Sequence, residues 1–241
     1  MRSVRSRKVF LWLGLALALI VGAPIGMFVA SDNFGVIQPG TIYRSAQMSD
    51  KALTQVINTY AIKTVLNLRG PNPRQAWYRA ERSATLRAGA TQLDLSLATD
   101  QSLTRNQAQT ILEVLETCDK PVLIHCQFGA ERTGLVAAFA ELAREGSSLA
   151  DARSQFSLKY KFLPIKDGLV MLRHLDQYEN DLKSRHMTHS SRRFHQYIAD
   201  EYQPAGPSRA DWPFDPYPLL VIHRPDGWKT VGQSKDLPIR K

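Results

Sequence analysis

The chain opens on polar, basic residues and then passes through 21 uncharged ones at positions 10–30. Beyond them, short apolar runs alternate with longer amphipathic stretches. The runs at 41–44, 63–68, 92–97 and 121–125 have the length and branched content of strands. Between them, 49–59, 77–88 and 104–116 carry apolar residues at helical spacing, the first started by Ser49 or Asp50 as cap. Residues 133–145 (TGLVAAFAELARE) place Leu135, Ala138, Phe139 and Leu142 on one helical stripe, and 149–160 and 169–182 look helical too. Strands alternating with helices predict an α/β fold with a central, mostly parallel sheet flanked by helices. Residues 31–40 read as a linker. Past 182 the pattern weakens: 192–202 predict one more helix, 219–223 (LLVIH) a late strand, and prolines crowd 204–218.

Residues 1–9 carry Arg2, Arg5, Arg7 and Lys8, and the uncharged stretch behind them is long enough to cross a hydrocarbon core of about 30 Å. The positive-inside rule then leaves the basic cluster in the cytoplasm and exports the rest. A cleaved secretory signal is the competing reading. Cleavage wants small residues at the last and third-last positions, and Phe28 in Phe28-Val29-Ala30 fits poorly. The expectation is an uncleaved single-pass anchor in the inner membrane, with the following domain on the periplasmic side.

The net charge of +9 changes this picture little, because four of the nine excess charges belong to that cluster. A mildly basic body suits an anionic substrate. No basic–aromatic stripe or nucleic-acid motif is visible, so no nucleic-acid partner is expected. Only two cysteines occur. Cys118 and Cys126 flank a predicted strand, which at about 3.3 Å per residue holds them over about 20 Å apart. A disulfide needs about 4.4–6.8 Å. Cys118 reads as a helix-end residue.

The candidate chemistry lies at His125-Cys126-Gln127-Phe128-Gly129-Ala130-Glu131-Arg132-Thr133-Gly134. Strand, tight loop and helix follow one another here. A loop entering a helix N-terminus points backbone N–H groups inward, where they and the helix dipole favour an anion. Gln127 to Ala130 would cradle a phosphate, and the same field lowers the pKa of Cys126. Arg132 offers a planar fork for two phosphate oxygens. Gly129 lets the loop curl, Gly134 lets the helix begin close to the strand, and Thr133 is placed to hydrogen-bond the sulfur. A buried structural cysteine, sulfur transfer or arsenate reduction on a similar loop, and an inactive phosphate-binding module are the other readings of these residues.

Cys-x5-Arg-Thr after His and an apolar strand resembles the cysteine-dependent tyrosine and dual-specificity phosphatases. Gly40-Thr41-Ile42-Tyr43-Arg44-Ser45-Ala46-Gln47 and Thr64-Val65-Leu66-Asn67-Leu68-Arg69-Gly70 are similar to the opening strands of their compact, atypical branch. That branch includes bacterial members, and fungal and plant enzymes acting on phosphoproteins or inositol pyrophosphates. The resemblance covers about residues 34–184. It implies a phosphatase domain at 31–184, a phosphocysteine intermediate on Cys126, and no metal or other cofactor. Residues 185–241 remain an extension of unknown role.

Relatives protonate the leaving group with an aspartate on a loop upstream of the cysteine. Asp100 lies between a predicted strand and helix, where such a loop belongs; its bland reading is a turn or helix-start residue. Asp94 falls inside a strand. Glu131 is the rival, because some bacterial and lipid-directed relatives carry an acidic residue within the loop itself. Asp211-Trp212-Pro213 resembles an acid loop but follows the cysteine in the chain. His125 is expected to orient the thiolate from below, or to be an ordinary core histidine. Arg69 is placed to meet a second anionic group, or to be a solvated turn residue. Trp77 and Tyr78 either wall the pocket or pack a helix. The expected partner is a phosphorylated protein, with a phospholipid or inositol phosphate as the alternative.

Overall fold

The structure is a computed structural model and describes residues 31–204, 206, 220–227 and 229–232. The basic cluster, the apolar stretch 10–30 and Asp211-Trp212-Pro213 lie outside the described residues, and no helix among those described is long and apolar enough to cross a membrane.

Seven strands form one sheet in the order β1(Gly35–Gln38), β2(Ile42–Ser45), β5(Val122–His125), β3(Thr64–Asn67), β4(Thr91–Leu95), β6(Leu220–His223), β7(Lys229–Gly232). The four central strands, β2, β5, β3 and β4, are parallel, while β1, β6 and β7 add antiparallel edges. Ser45, His125, Asn67 and Asp94 stand level at the carboxyl ends of the parallel strands. Loops leaving those ends bind ligands in open α/β sheets.

Alternation along the strands supplies two cores. Ile42, Leu66, Leu95, Val122 and Ile124 face one side, packed by α3(Arg105–Thr117), α4(Glu131–Ala143), α6(Asp167–Ser184) and α7(Ser191–Gln196). Tyr43, Val65 and Leu123 face the other, under α1(Asp50–Tyr60) and α2(Ala76–Arg87). Helix starts follow local chemistry. Ser49 Oγ accepts the Ala52 N–H at 3.2 Å, and Thr104 forms a reciprocal capping box with Gln107 ahead of α3. α4 is buried on nearly every face, as a helix under a sheet and between helices must be.

Two sequence expectations change. Residues 31–40 are not a plain linker. Gly35 and Ile37 turn inward while Val36 is exposed, and the segment pairs with β2 through a tight turn; four residues are too few to register as alternation. The helix expected over 149–160 divides into α5(Leu149–Ser154) and a single 3-10 turn, Leu158–Tyr160; the Ser154 hydroxyl donates back to the Asp151 carbonyl where α5 ends. Described residues beyond 184, whose role the sequence leaves open, pack on this domain. Phe194, Tyr197, Ile198 and Tyr202 belong to the first core, and β6 pairs with β4. Their burial completes the domain, since β4 would otherwise be an open edge.

Candidate active site

Cys126 follows β5 directly and is 1% exposed. The loop behind it is held open from outside. The His125 carbonyl accepts the Leu68 N–H at 2.9 Å, and the Gln127 carbonyl accepts the Gln47 N–H at 3.3 Å. Asn33 Nδ2 donates to the Phe128 carbonyl at 2.9 Å, and Arg44 Nη2 donates to that of Gly129 at 2.7 Å. Three loop carbonyls, and that of His125 at the end of β5, are thus drawn to neighbouring elements, while the amides of Gly129 and Thr133 turn to the Cys126 sulfur. Ala130 caps α4 and offers no side-chain acceptor to the first-turn amides of α4.

Gly129 makes this curl possible. Its φ is +68°, and a Cβ there would lie 2.5 Å from the Ser45 carbonyl oxygen and 2.6 Å from the Ala46 nitrogen. Gly134 works differently from expectation. A Cβ at that position would meet Phe156 at 3.0 Å and the Gln155 carbonyl at 3.3 Å, so the close approach is to the chain after α5, not to the strand.

Burial of the Cys126 sulfur opposes ionisation. The Arg132 guanidinium, the Thr133 hydroxyl and amide, and the Gly129 amide outweigh it and hold the thiol below its ordinary value. Arg132 Nη1 donates to the Leu97 carbonyl at 3.2 Å and reaches that of Leu68 at 3.5 Å, while its Nε is buried without a partner. That unpaired N–H suits an anion seated on the loop. Gln127 and Phe128 are exposed at the rim, Phe128 by 62%, and Glu131 is half-buried in the first turn of α4.

Asp100 sits exposed in the bend between β4 and α3. That loop is tethered twice. Arg132 holds its start at Leu97, and the hydroxyl of Tyr202, a residue past the expected domain end, donates to the Leu103 carbonyl at 2.9 Å. The Tyr202 hydroxyl also lies 2.9 Å from Nδ1 of His174, whose burial lowers its pKa to about 4 and keeps it neutral. Asp94 is fully buried. It accepts from Asn67 and Gln92, each at 2.9 Å, and from Tyr78, and lies 3.2 Å from His223 Nε2, so its oxygens are engaged in the core. Tyr78 is therefore a core residue, not a pocket wall.

His125 lies behind Cys126, with Nε2 3.3 Å from Glu81 Oε1 and both side chains buried. The approach is an ion-pair contact without hydrogen-bond alignment. Burial pushes the imidazole pKa down, but Glu81 and Cys126 push it up further, so it lies above its ordinary value. Arg69 stacks on Trp77 at 3.7 Å and donates to the Gln47 side chain. Its pKa is lowered by burial and by nearby Arg132, which places two guanidinium groups beside one loop.

The sequence reading passed over Arg44, Asn33 and Glu81. Arg44 is wholly buried; Nη1 donates to the backbone and side-chain oxygens of Gln155, both at 2.9 Å, and the guanidinium lies over the Tyr160 ring. Burial lowers its pKa to about 10, still charged at neutral pH. A charged residue inside a strand pattern was the one available signal.

Among solved structures, TpbA of P. aeruginosa is 22% identical, over 63% of this chain and 91% of its own, with a TM-score of 0.47. The core catalytic domain of the PP-IP phosphatase SIW14 of S. cerevisiae is 18% identical, over 64% and 93%, at 0.48. A putative phosphatase of Neisseria meningitidis is 18% identical, over 61% and 99%, at 0.44. No curated protein sequence matches significantly. Residues 25–148, more than half of the chain, match the model of the tyrosine phosphatase family, and the chain belongs to that family as a cysteine-dependent phosphoric monoester hydrolase.

Proposed function

We propose that the protein is an exported, membrane-anchored phosphatase that hydrolyses phosphate monoesters through a phosphocysteine at Cys126, with phosphotyrosine or other phosphorylated protein side chains as substrate. The observation that carries this reading is the loop itself. Its carbonyls are tied outward, its thiol is lowered, and Arg132 Nε waits unpaired beside it.

The thiolate attacks phosphorus and the bond from phosphorus to the ester oxygen breaks. Arg132 and the loop amides hold the three equatorial oxygens. Asp100 gives its proton to the departing oxygen, then takes one from the water that cleaves the phosphocysteine. Glu131 is the alternative for that role. His125 lies behind the thiolate, its imidazole held above its ordinary pKa by Glu81 and Cys126 against the opposing effect of burial.

Arg69 favours a second reading. A guanidinium braced on Trp77 and close enough to Arg132 to be repelled by it suits a substrate with another anionic group, as an inositol or lipid phosphate has. The deciding experiment pairs a panel of phosphotyrosine peptides, phosphoinositides and lipid phosphates with Cys126→Ser. Serine has no accessible anion at neutral pH, yet the cradle and Arg132 remain. Turnover is expected to vanish while vanadate binding persists, and substantial residual turnover contradicts the mechanism.

A further inference from the structure

We propose that residues 158–169 form the surface by which the catalytic domain rests on an anionic lipid bilayer. This builds on the reading of residues 10–30 as a membrane anchor.

Seven large apolar side chains are strongly exposed among the described residues, and four of them fall in this one stretch: Leu158 at 70%, Leu163 at 53%, Ile165 at 59% and Leu169 at 42%. Apolar residues exposed singly are ordinary; four within twelve residues are not. The same stretch carries Lys159, Lys161 and Lys166 against the lone carboxylate Asp167. Protruding apolar side chains interspersed with lysines are the chemistry of a headgroup interface, where the apolar tips enter the acyl boundary and the cations meet anionic lipid.

The position of the chain's other end argues for a bilayer over a protein partner. Lys161 Nζ donates to the Ser31 carbonyl at 2.8 Å, and Ser31 directly follows the last residue of the uncharged run. Lys159 also lines a cavity with Ser31, Asp32, Asn33 and Phe34. A membrane holding residues 10–30 therefore begins one residue from a side chain of this loop. Asn33 extends the link to the chemistry, because its Nδ2 donates both to the Tyr160 carbonyl within the loop and to the Phe128 carbonyl of the cradle, each at 2.9 Å. Seating the loop on the bilayer thereby fixes the rim of the active site relative to the membrane surface.

The test uses the full chain in lipid nanodiscs, neutral or containing phosphatidylglycerol, and reads amide hydrogen exchange across 158–169. Exchange should slow in the anionic discs. Lys159→Glu with Lys166→Glu should remove about tenfold or more of that protection, given about fivefold per lysine charge near an anionic surface. Leu163→Ser with Ile165→Ser should also remove it. Both pairs leave Lys161 and its bond to Ser31 intact, so hydrolysis of a soluble aryl phosphate should stay unchanged. Vesicle flotation after a carbonate wash tests the anchor separately. A chain that floats while its loop exchanges equally in both discs, indifferent to the substitutions, keeps the anchor and overturns this surface. A chain stripped by the wash yet floating beforehand on anionic vesicles alone supports the surface and removes the anchor. Failure to float on any vesicle overturns both. Protection that appears on self-association without lipid assigns the surface to a second copy and overturns the proposal.

Discussion

Nε2 of His125 lies 3.3 Å from Oε1 of Glu81, one residue away from Cys126 and with both side chains buried. Glu81 also accepts from Gln92 at 3.3 Å, and Gln92 donates to Asp94, so a polar chain runs behind the site as far as His223 on β6. A protonated His125 close behind the sulfur favours the thiolate, and Glu81 favours that proton.

Glu81→Gln should therefore raise the pKa of Cys126. The midpoint of iodoacetamide alkylation against pH should move up, with the rate at pH values below that midpoint falling by about tenfold for each unit of the rise. The stability cost should be about 1–3 kcal/mol, because the imidazole can shed its proton instead of remaining a stranded charge. The sign of the pH dependence follows from the raised pKa of His125. Its contribution is complete below the unfolded-state value near 6.5 and is lost as pH rises through the higher folded value. The stability gap between wild type and variant, measured by urea unfolding, should narrow as pH rises through that folded value. An unchanged alkylation profile would show Glu81 to be a packing residue only.

Gly129→Ala should disable the cradle without unfolding the protein. The added Cβ would lie 2.5 Å from the Ser45 carbonyl oxygen, so the loop must shift by about 1 Å, a displacement that costs about 10²-fold in rate. The measurement is kcat/KM on an aryl phosphate beside the melting temperature. Near wild-type turnover would mean that the loop has room the packing does not show.

The general acid is separable by leaving group. Protonation of a leaving oxygen contributes about 10²- to 10⁴-fold, and matters little for nitrophenolate. Asp100→Asn should lose most activity on a phosphotyrosine peptide and far less on nitrophenyl phosphate. Glu131→Gln showing that pattern instead would place the acid inside the loop.

The cradle was legible from sequence because its chemistry is local. Cys126, Gly129, Arg132 and Thr133 lie within eight positions, and strand, loop and helix on either side announce themselves by period. What holds the cradle open was not legible. Arg44 reaches Gly129 across 85 residues and Asn33 reaches Phe128 across 95. Neither residue type nor spacing encodes such a pairing; only the sheet order, which sets β2 beside β5, brings them together. Asp94 was readable as a strand residue, but its partners come from β3, α2 and β6. The pairing of LLVIH with β4 was equally hidden, since an antiparallel edge strand carries no mark of the neighbour it will join. The Asp100 loop shows both limits. Its place between strand and helix was visible, while its tethers to Arg132 and Tyr202 were not.

The covalent intermediate is the most direct test. Wild-type protein mixed with an aryl phosphate, quenched in acid during turnover and examined by peptide mass spectrometry, should carry one phosphoryl group, on Cys126, that disappears when substrate is exhausted. Cys126→Ser treated in the same way should carry none and release no product. A phosphoryl group on another residue, or product release by the serine variant without any adduct, would contradict the account.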